Sequence, residues 1–251
     1  MTETSRAKTP ALNTKDRIIV ALDVETADEA RRLIDKIGDQ GSAYKIGLQL
    51  FTAAGPPFVR ELTGSGTKIF LDLKFYDIPN TVAGASIEAA KLGVWMFNVH
   101  ASGGSEMMRR SSDAVRTFCE SEGLEIPIIL GVTLLTSSDA STLLEDGITY
   151  SVEDYVIRLA ERAAKSGLDG VVASPNEVAA IRNSIKSERF IVVTPGIRPV
   201  SATYDDQKRV MTPAEAVTAG SDYLVIGRPV TAAPNPPAAL RKIIQEIDHA
   251  N

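Results

Sequence analysis

Cysteine is almost missing from this sequence. Cys119 stands alone among 251 residues, so no disulfide can form within the chain. Histidine is nearly as scarce: His100 and His249 are the only two, too few for a histidine-based metal site. No apolar run approaches the ~18 residues that a membrane-crossing helix needs. An excess of positive charge is lacking too. Lysine and arginine number 27 against 32 acids, a formal net charge of −5, which argues against a broadly basic surface for nucleic acid or anionic lipid. Residues 1–16 are polar, contain no apolar stretch of the kind a secretory signal uses, and read as a flexible arm. With the lone cysteine, this points to the cytoplasm.

What the sequence does have is alternation. Short β-rich runs at 17–23, 42–47, 67–74, 94–100, 126–132, 168–173, 190–194 and 221–226 are each followed by a helical pattern or a polar loop leading into one. Several helix starts are signed. Thr26 with Glu29 and Thr212 with Glu215 have capping-box spacing. Ser151 with Asp154 resembles one, and Pro79, Pro175 and Pro213 fall where a first helical turn accepts proline. A Gly-Pro-Pro run at 55–57 interrupts the second helix. Near-continuous apolar strands alternating with helices call for a parallel sheet. Eight such units in 251 residues fit a single closed (β/α)8 barrel, for which ~250 residues is typical. No glycine fingerprint for a dinucleotide follows the first strand, where an open doubly wound sheet usually carries it. The barrel is expected over residues 17–251.

Charged residues end several of these strands. Asp23 closes the first on the face of Ile19 and Ala21, Lys45 lies near the end of the second, and Asp72 and Lys74 end the third. Side chains alternate faces along a strand, so Asp72 and Lys74 point the same way as Phe70. One such residue is explained by a solvated strand end. Four at one rim point instead to the C-terminal mouth of the barrel, where this fold keeps its reacting groups. A lysine flanked by carboxylates has its charged form stabilised. Lys74 is thereby a proton donor and a stabiliser of developing negative charge, rather than a base or a Schiff-base nucleophile. Such a site suits loss of carbon dioxide followed by protonation of the carbanion.

A second gathering follows the last two strands: Thr194-Pro195-Gly196-Ile197-Arg198-Pro199 and Ile226-Gly227-Arg228-Pro229. Barrels often bind phosphate with these two loops. Glycine lets a backbone N–H approach the oxyanion, and arginine supplies a fork of donors. The loop 195–211 is longer than most connections and is a candidate lid. His100, Trp95 and Phe97 read as structural: a hydrogen-bonded histidine and barrel packing.

With Asp72, Lys74, Asp77-Ile78-Pro79-Asn80-Thr81, VTPGIRP at 193–199 and VIGRPV at 225–230 in place, the chain resembles the orotidine 5′-phosphate decarboxylase family over about residues 17–247. NVHASGG at 98–104 and GVTLLTS at 131–137 belong to the same likeness. The resemblance implies a homodimeric barrel that converts orotidine 5′-monophosphate to UMP with no metal and no organic cofactor. It implies a charged tetrad of Lys45, Asp72, Lys74 and Asp77, with Lys74 protonating C6 and Asp72 against the departing carboxylate. Asp77 and Thr81 would reach the neighbouring subunit's site, Asp23 and Lys45 would hold ribose hydroxyls, and Thr136 would sit at the pyrimidine. Arg198, Gln207, Gly227 and Arg228 would take the phosphate, Gln207 from the closing loop, and Pro195 would be a further substrate-binding residue. Tyr76 stands where relatives commonly have histidine and is expected to face away from the site. Two other readings stay open. A related metal-dependent sugar-phosphate decarboxylase or aldolase would carry an acidic magnesium ligand where this chain has Lys45. A non-catalytic nucleotide-binding barrel would bind UMP without turnover.

Overall fold

Eight parallel strands close on themselves in sequence order, β1-β2-β3-β4-β5-β6-β7-β8, in a computed structural model of the chain that describes residues 12–199 and 211–250. They are β1 (Ile18–Ala21), β2 (Ala43–Gly47), β3 (Lys68–Phe75), β4 (Met96–His100), β5 (Ile128–Val132), β6 (Gly170–Val172), β7 (Ile191–Thr194) and β8 (Tyr223–Ile226). The helices are α1 (Ala27–Ile37), α2 (Leu48–Gly64), α3 (Pro79–Lys91), α4 (Ser105–Glu122), α5 (Ala140–Glu145), α6 (Val152–Lys165), α7 (Val178–Ser184), α8 (Pro213–Thr218), α9 (Arg228–Thr231) and α10 (Pro236–Asp248). Among the described residues no helix is long and apolar enough to cross a membrane.

Two-residue alternation splits the apolar side chains into two cores. Ile19, Ala21, Ala43, Phe70, Met96, Leu130, Val193 and Val225 fill the barrel interior. Their neighbours Val20, Tyr44, Ile46, Ile69, Leu71, Phe97 and Val99 face outward and pack against the helices. The second set meets amphipathic faces such as that of α1, which buries Ala30, Leu33 and Ile37 and whose start is fixed by the Thr26–Glu29 capping box. Trp95 meets Tyr223 edge-on at 5.1 Å and Phe97 meets Phe75 at 6.0 Å, so both aromatics serve packing. Gly55, at φ 69°, breaks α2 ahead of Pro56 and Pro57, which is the interruption expected there.

Three local expectations are corrected. Residues 12–16, the described end of the expected arm, are packed: Leu12 lies on the inner core, a 3-10 turn spans Thr14–Arg17, and Ser42 donates to Asp16 at 2.9 Å. The polar loop after β5 contains α5, capped by Asp139; six residues are too short to show a helical period. Pro175 does not open α7; it opens a 3-10 turn, Pro175–Glu177, that precedes the helix.

Candidate active site

The inward face that carries Ile19, Ala43, Phe70 and Met96 deeper in the barrel turns polar at its C-terminal rim. Asp23 lies just beyond β1, Lys45 on β2, Asp72 and Lys74 on β3, and Asn98 on β4. Ala21 pairs with Lys45 and Gly47 with Asp72 across the sheet, so register alone sets these groups side by side. They form a chain of ion pairs. Lys45 Nζ is 3.1 Å from Asp23 Oδ1 and 3.3 Å from Asp72 Oδ2, and Lys74 Nζ is 2.7 Å from Asp72 Oδ1. A Cβ on Gly47 would stand 3.0 Å from Lys45 Nζ, so glycine there makes room for the ammonium.

Burial and charge oppose one another here. Burial favours neutral Lys45, but Asp72 and Asp23 outweigh it and hold the ammonium's pKa above the ordinary lysine value. Burial likewise favours protonated Asp72. Lys45 and Lys74, with hydrogen bonds from Lys74 and Asn98, hold its carboxyl below the usual carboxylate range. Asp72 is therefore an anion between two cations at neutral pH, and this geometry can present an ammonium proton to a reacting atom.

Strand β3 is irregular where the chemistry sits. Leu71 pairs with Phe97, but the next partner of β4, Val99, is Phe75. The extra backbone is taken up in a bulge, with Lys74 at φ 52°, the one non-glycine residue at positive φ among those described. Left-handed backbone is costly for a lysine and persists only where its surroundings hold it.

The cluster borders two cavities. One, of about 160 Å³, is lined by Asp23, Lys45, Gly47, Asp72 and Lys74. The other, of about 150 Å³ and mostly apolar, lies between Lys45, Asp72, Lys74, Thr136 and Pro195. A third, about 690 Å³, is lined by Arg198, Arg228 and Lys242 among others and lies to the side, against α9 and α10. Arg198 follows β7 and Arg228 opens α9 after β8, so both expected cations meet at one cavity. Ile197 bridges to Met211 and the Arg198 N–H donates to the Met211 carbonyl at 3.0 Å, which pins both ends of the long loop. Gly227 is close to the first cluster: a Cβ there would stand 3.4 Å from Asp23 Oδ2. Gln207 lies outside the described residues.

Asp77 and Thr81 are not brought to this cluster within the chain. Both are exposed at the start of α3, and Asp77 Oδ1 accepts the Ile78 N–H at 2.6 Å. Among the described residues His100 makes no side-chain hydrogen bond of the kind expected. Its ring meets Tyr76 edge-on at 5.6 Å, and burial together with Lys74 lowers its pKa against the pull of Asp72. Tyr76 is 62% exposed and touches the histidine rather than the charged chain. Asn98 is the residue that sequence reasoning missed. Its signal was available: an amide in the apolar run Met96-Phe97-Asn98-Val99, two positions from Met96 and so on the inward face.

Residues 16–243 match the orotidine 5′-phosphate decarboxylase / HUMPS family. The chain is similar to the orotidine 5′-phosphate decarboxylase of Geobacter metallireducens, 52% identical over 233 residues that cover 93% of this chain and 96% of the relative. It is likewise similar to that of Moorella thermoacetica, 50% identical over 238 residues and 94% of each chain. Among solved structures, the crystal structure of orotidine 5′-phosphate decarboxylase from Lactobacillus acidophilus superposes with a TM-score of 0.81 at 39% identity, covering 92% of this chain and 98% of that one.

Proposed function

Because the chain belongs to the orotidine 5′-phosphate decarboxylase / HUMPS family, we propose that it decarboxylates orotidine 5′-monophosphate to UMP, the last step of pyrimidine nucleotide synthesis. The observation that carries this reading is the alternating chain Asp23–Lys45–Asp72–Lys74 at the rim. The bond from C6 to the carboxylate breaks, its electron pair stays on C6, and carbon dioxide leaves. Lys74 then gives C6 a proton and, as a neutral amine, regains one from solvent. The ammonium stabilises the carbanion before the transfer, which is where an electrostatic group lowers a barrier.

Asp72 sits against the departing carboxylate. Two unit charges of like sign ~4 Å apart repel by about 4 kcal/mol at an effective dielectric near 20. That cost has to be met by contacts elsewhere on the substrate. A hydrogen bond to a charged group contributes about 1.5–3 kcal/mol, so Arg198 and Arg228 on the phosphate offset it between them. Gly227 and, as the family likeness implies, Gln207 also serve the phosphate, Asp23 and Lys45 hold the ribose, and Thr136 meets the pyrimidine with Pro195 lining the same cavity. Asp77 and Thr81, exposed and apart from their own chain's Asp23–Lys45–Asp72–Lys74 ion pairs, serve the neighbouring site of a homodimer in the cytoplasm. Within the family, Lys45 separates this reading from metal-dependent relatives: an ammonium 3.3 Å from Asp72 repels a cation that would bind there. The reaction takes no metal and no coenzyme.

Purified, chelator-treated protein incubated with orotidine 5′-monophosphate is expected to release carbon dioxide and form UMP in equal amounts. Tight UMP binding without turnover would contradict the proposal and favour a binding barrel.

A further inference from the structure

Asn98 is fully buried on β4, and both ends of its side-chain amide are engaged with the reacting strand. Its Oδ1 accepts the backbone N–H of Lys74 at 2.8 Å, and its Nδ2 donates to Asp72 Oδ1 at 2.7 Å. The chemistry of the partners fixes which end is which. A backbone N–H requires the oxygen and a carboxylate requires the NH2.

The place matters as much as the bonds. The β3–β4 ladder is interrupted between the pairs Leu71↔Phe97 and Phe75↔Val99, and Asn98 stands opposite that gap. Lys74, at φ 52°, lies in that gap with no paired residue on β4, and its N–H goes to Asn98 Oδ1. The same side chain then holds the carboxylate to which Lys74 Nζ is paired at 2.7 Å. Backbone and head group of one lysine are thus referenced to a single planar amide, directly and through Asp72.

We infer that Asn98 is a positioning residue for the decarboxylation: it locks the left-handed backbone at Lys74 and the orientation of Asp72, so that the ammonium is aimed at the reacting carbon. Only an amide of this length supplies one acceptor and one donor at these two points. Aspartate would turn an acceptor toward the Asp72 carboxylate, and leucine would offer neither group. This inference rests on the decarboxylase reading above.

The test compares wild type, Asn98→Leu and Asn98→Asp. Each is assayed for kcat and KM with orotidine 5′-monophosphate and titrated with UMP for affinity and stoichiometry. Misplacing a reacting group by ~1 Å costs about a hundredfold in rate, and a loss in kcat of that size is expected in both variants. UMP stoichiometry and affinity should stay at the wild-type level, because the phosphate side is untouched. Asn98→Asp has the shape of the original residue and carries the test by itself if Asn98→Leu does not fold. Wild-type kcat in either folded variant would overturn the inference. So would a fall in UMP-competent protein in step with activity, which would make Asn98 a structural residue alone. Absence of turnover in the wild type would remove the decarboxylase reading and this inference with it, whereas normal turnover in wild type and variants alike would remove only the inference.

Discussion

Lys74 Nζ and Asp72 Oδ1 stand 2.7 Å apart on one strand, at positions two residues apart, with left-handed backbone at the lysine. Asp72 is shared: Lys45 approaches its other oxygen at 3.3 Å. One carboxylate therefore holds two ammonium groups at close quarters, and its removal is felt in stability as well as in chemistry. Breaking a buried pair by deleting one partner costs about 3–5 kcal/mol, so Asp72→Asn is expected to lower the urea midpoint at pH 7. The pH dependence has a definite sign. The Asp72 carboxyl is held below its ordinary value in the folded protein. Its contribution is thus complete above the unfolded value, ~3.9, and is lost as pH falls through the folded one. The gap between wild type and variant should close in acid. A gap that persists or widens below that range would contradict the assignment.

Arg228 opens α9 and shares a cavity with Arg198. Loss of a charge-assisted hydrogen bond to phosphate, about 1.5–3 kcal/mol, corresponds to roughly a tenfold to hundredfold loss in affinity. Arg228→Ala should raise KM for orotidine 5′-monophosphate and also lower kcat, since on the proposed reading contacts to the phosphate offset the repulsion at Asp72. Decarboxylation of orotidine, which has no phosphate, should be unaffected by the substitution. Steady-state kinetics with both substrates decide it, and equal effects on the two would refute a phosphate contact.

Asp77 stands apart from the Asp23–Lys45–Asp72–Lys74 ion pairs of its own chain. If it serves a partner's site, Lys74→Ala and Asp77→Ala each inactivate alone but complement one another. In a mixed two-fold dimer one site receives both lesions and the other neither, so random exchange restores about a quarter of full activity. Mixing the two purified variants under exchange conditions and following turnover measures this. No recovery, with exchange demonstrated, would place Asp77 in its own chain's site or outside the chemistry.

Much of this was legible in the sequence because barrel strands are short and regular. Period-two alternation from Ile19, Ala43 and Phe70 is enough to turn Asp23, Lys45 and Asp72 inward, and capping signals such as Thr26–Glu29 and Thr212–Glu215 mark helix starts to the residue. Alternation also put Lys74 on the right face, but for an incomplete reason. It assumes a regular strand, whereas β3 bulges after Leu71 and Lys74 reaches Asp72 through positive φ. Asn98 was passed over because its partners come from a different strand, and such contacts follow from three-dimensional register rather than local pattern. For His100 the local pattern gave the place and missed the environment: a ring against Tyr76 in place of a hydrogen bond. The short helix α5 escaped for want of length.

The central claim is that the Lys74 ammonium delivers the proton to C6. Its most direct test is Lys74→Ala in single-turnover decarboxylation of orotidine 5′-monophosphate, with UMP binding titrated on the same preparation. Nearly complete loss of product formation is expected, while UMP still binds. Product formation at the wild-type rate would contradict it.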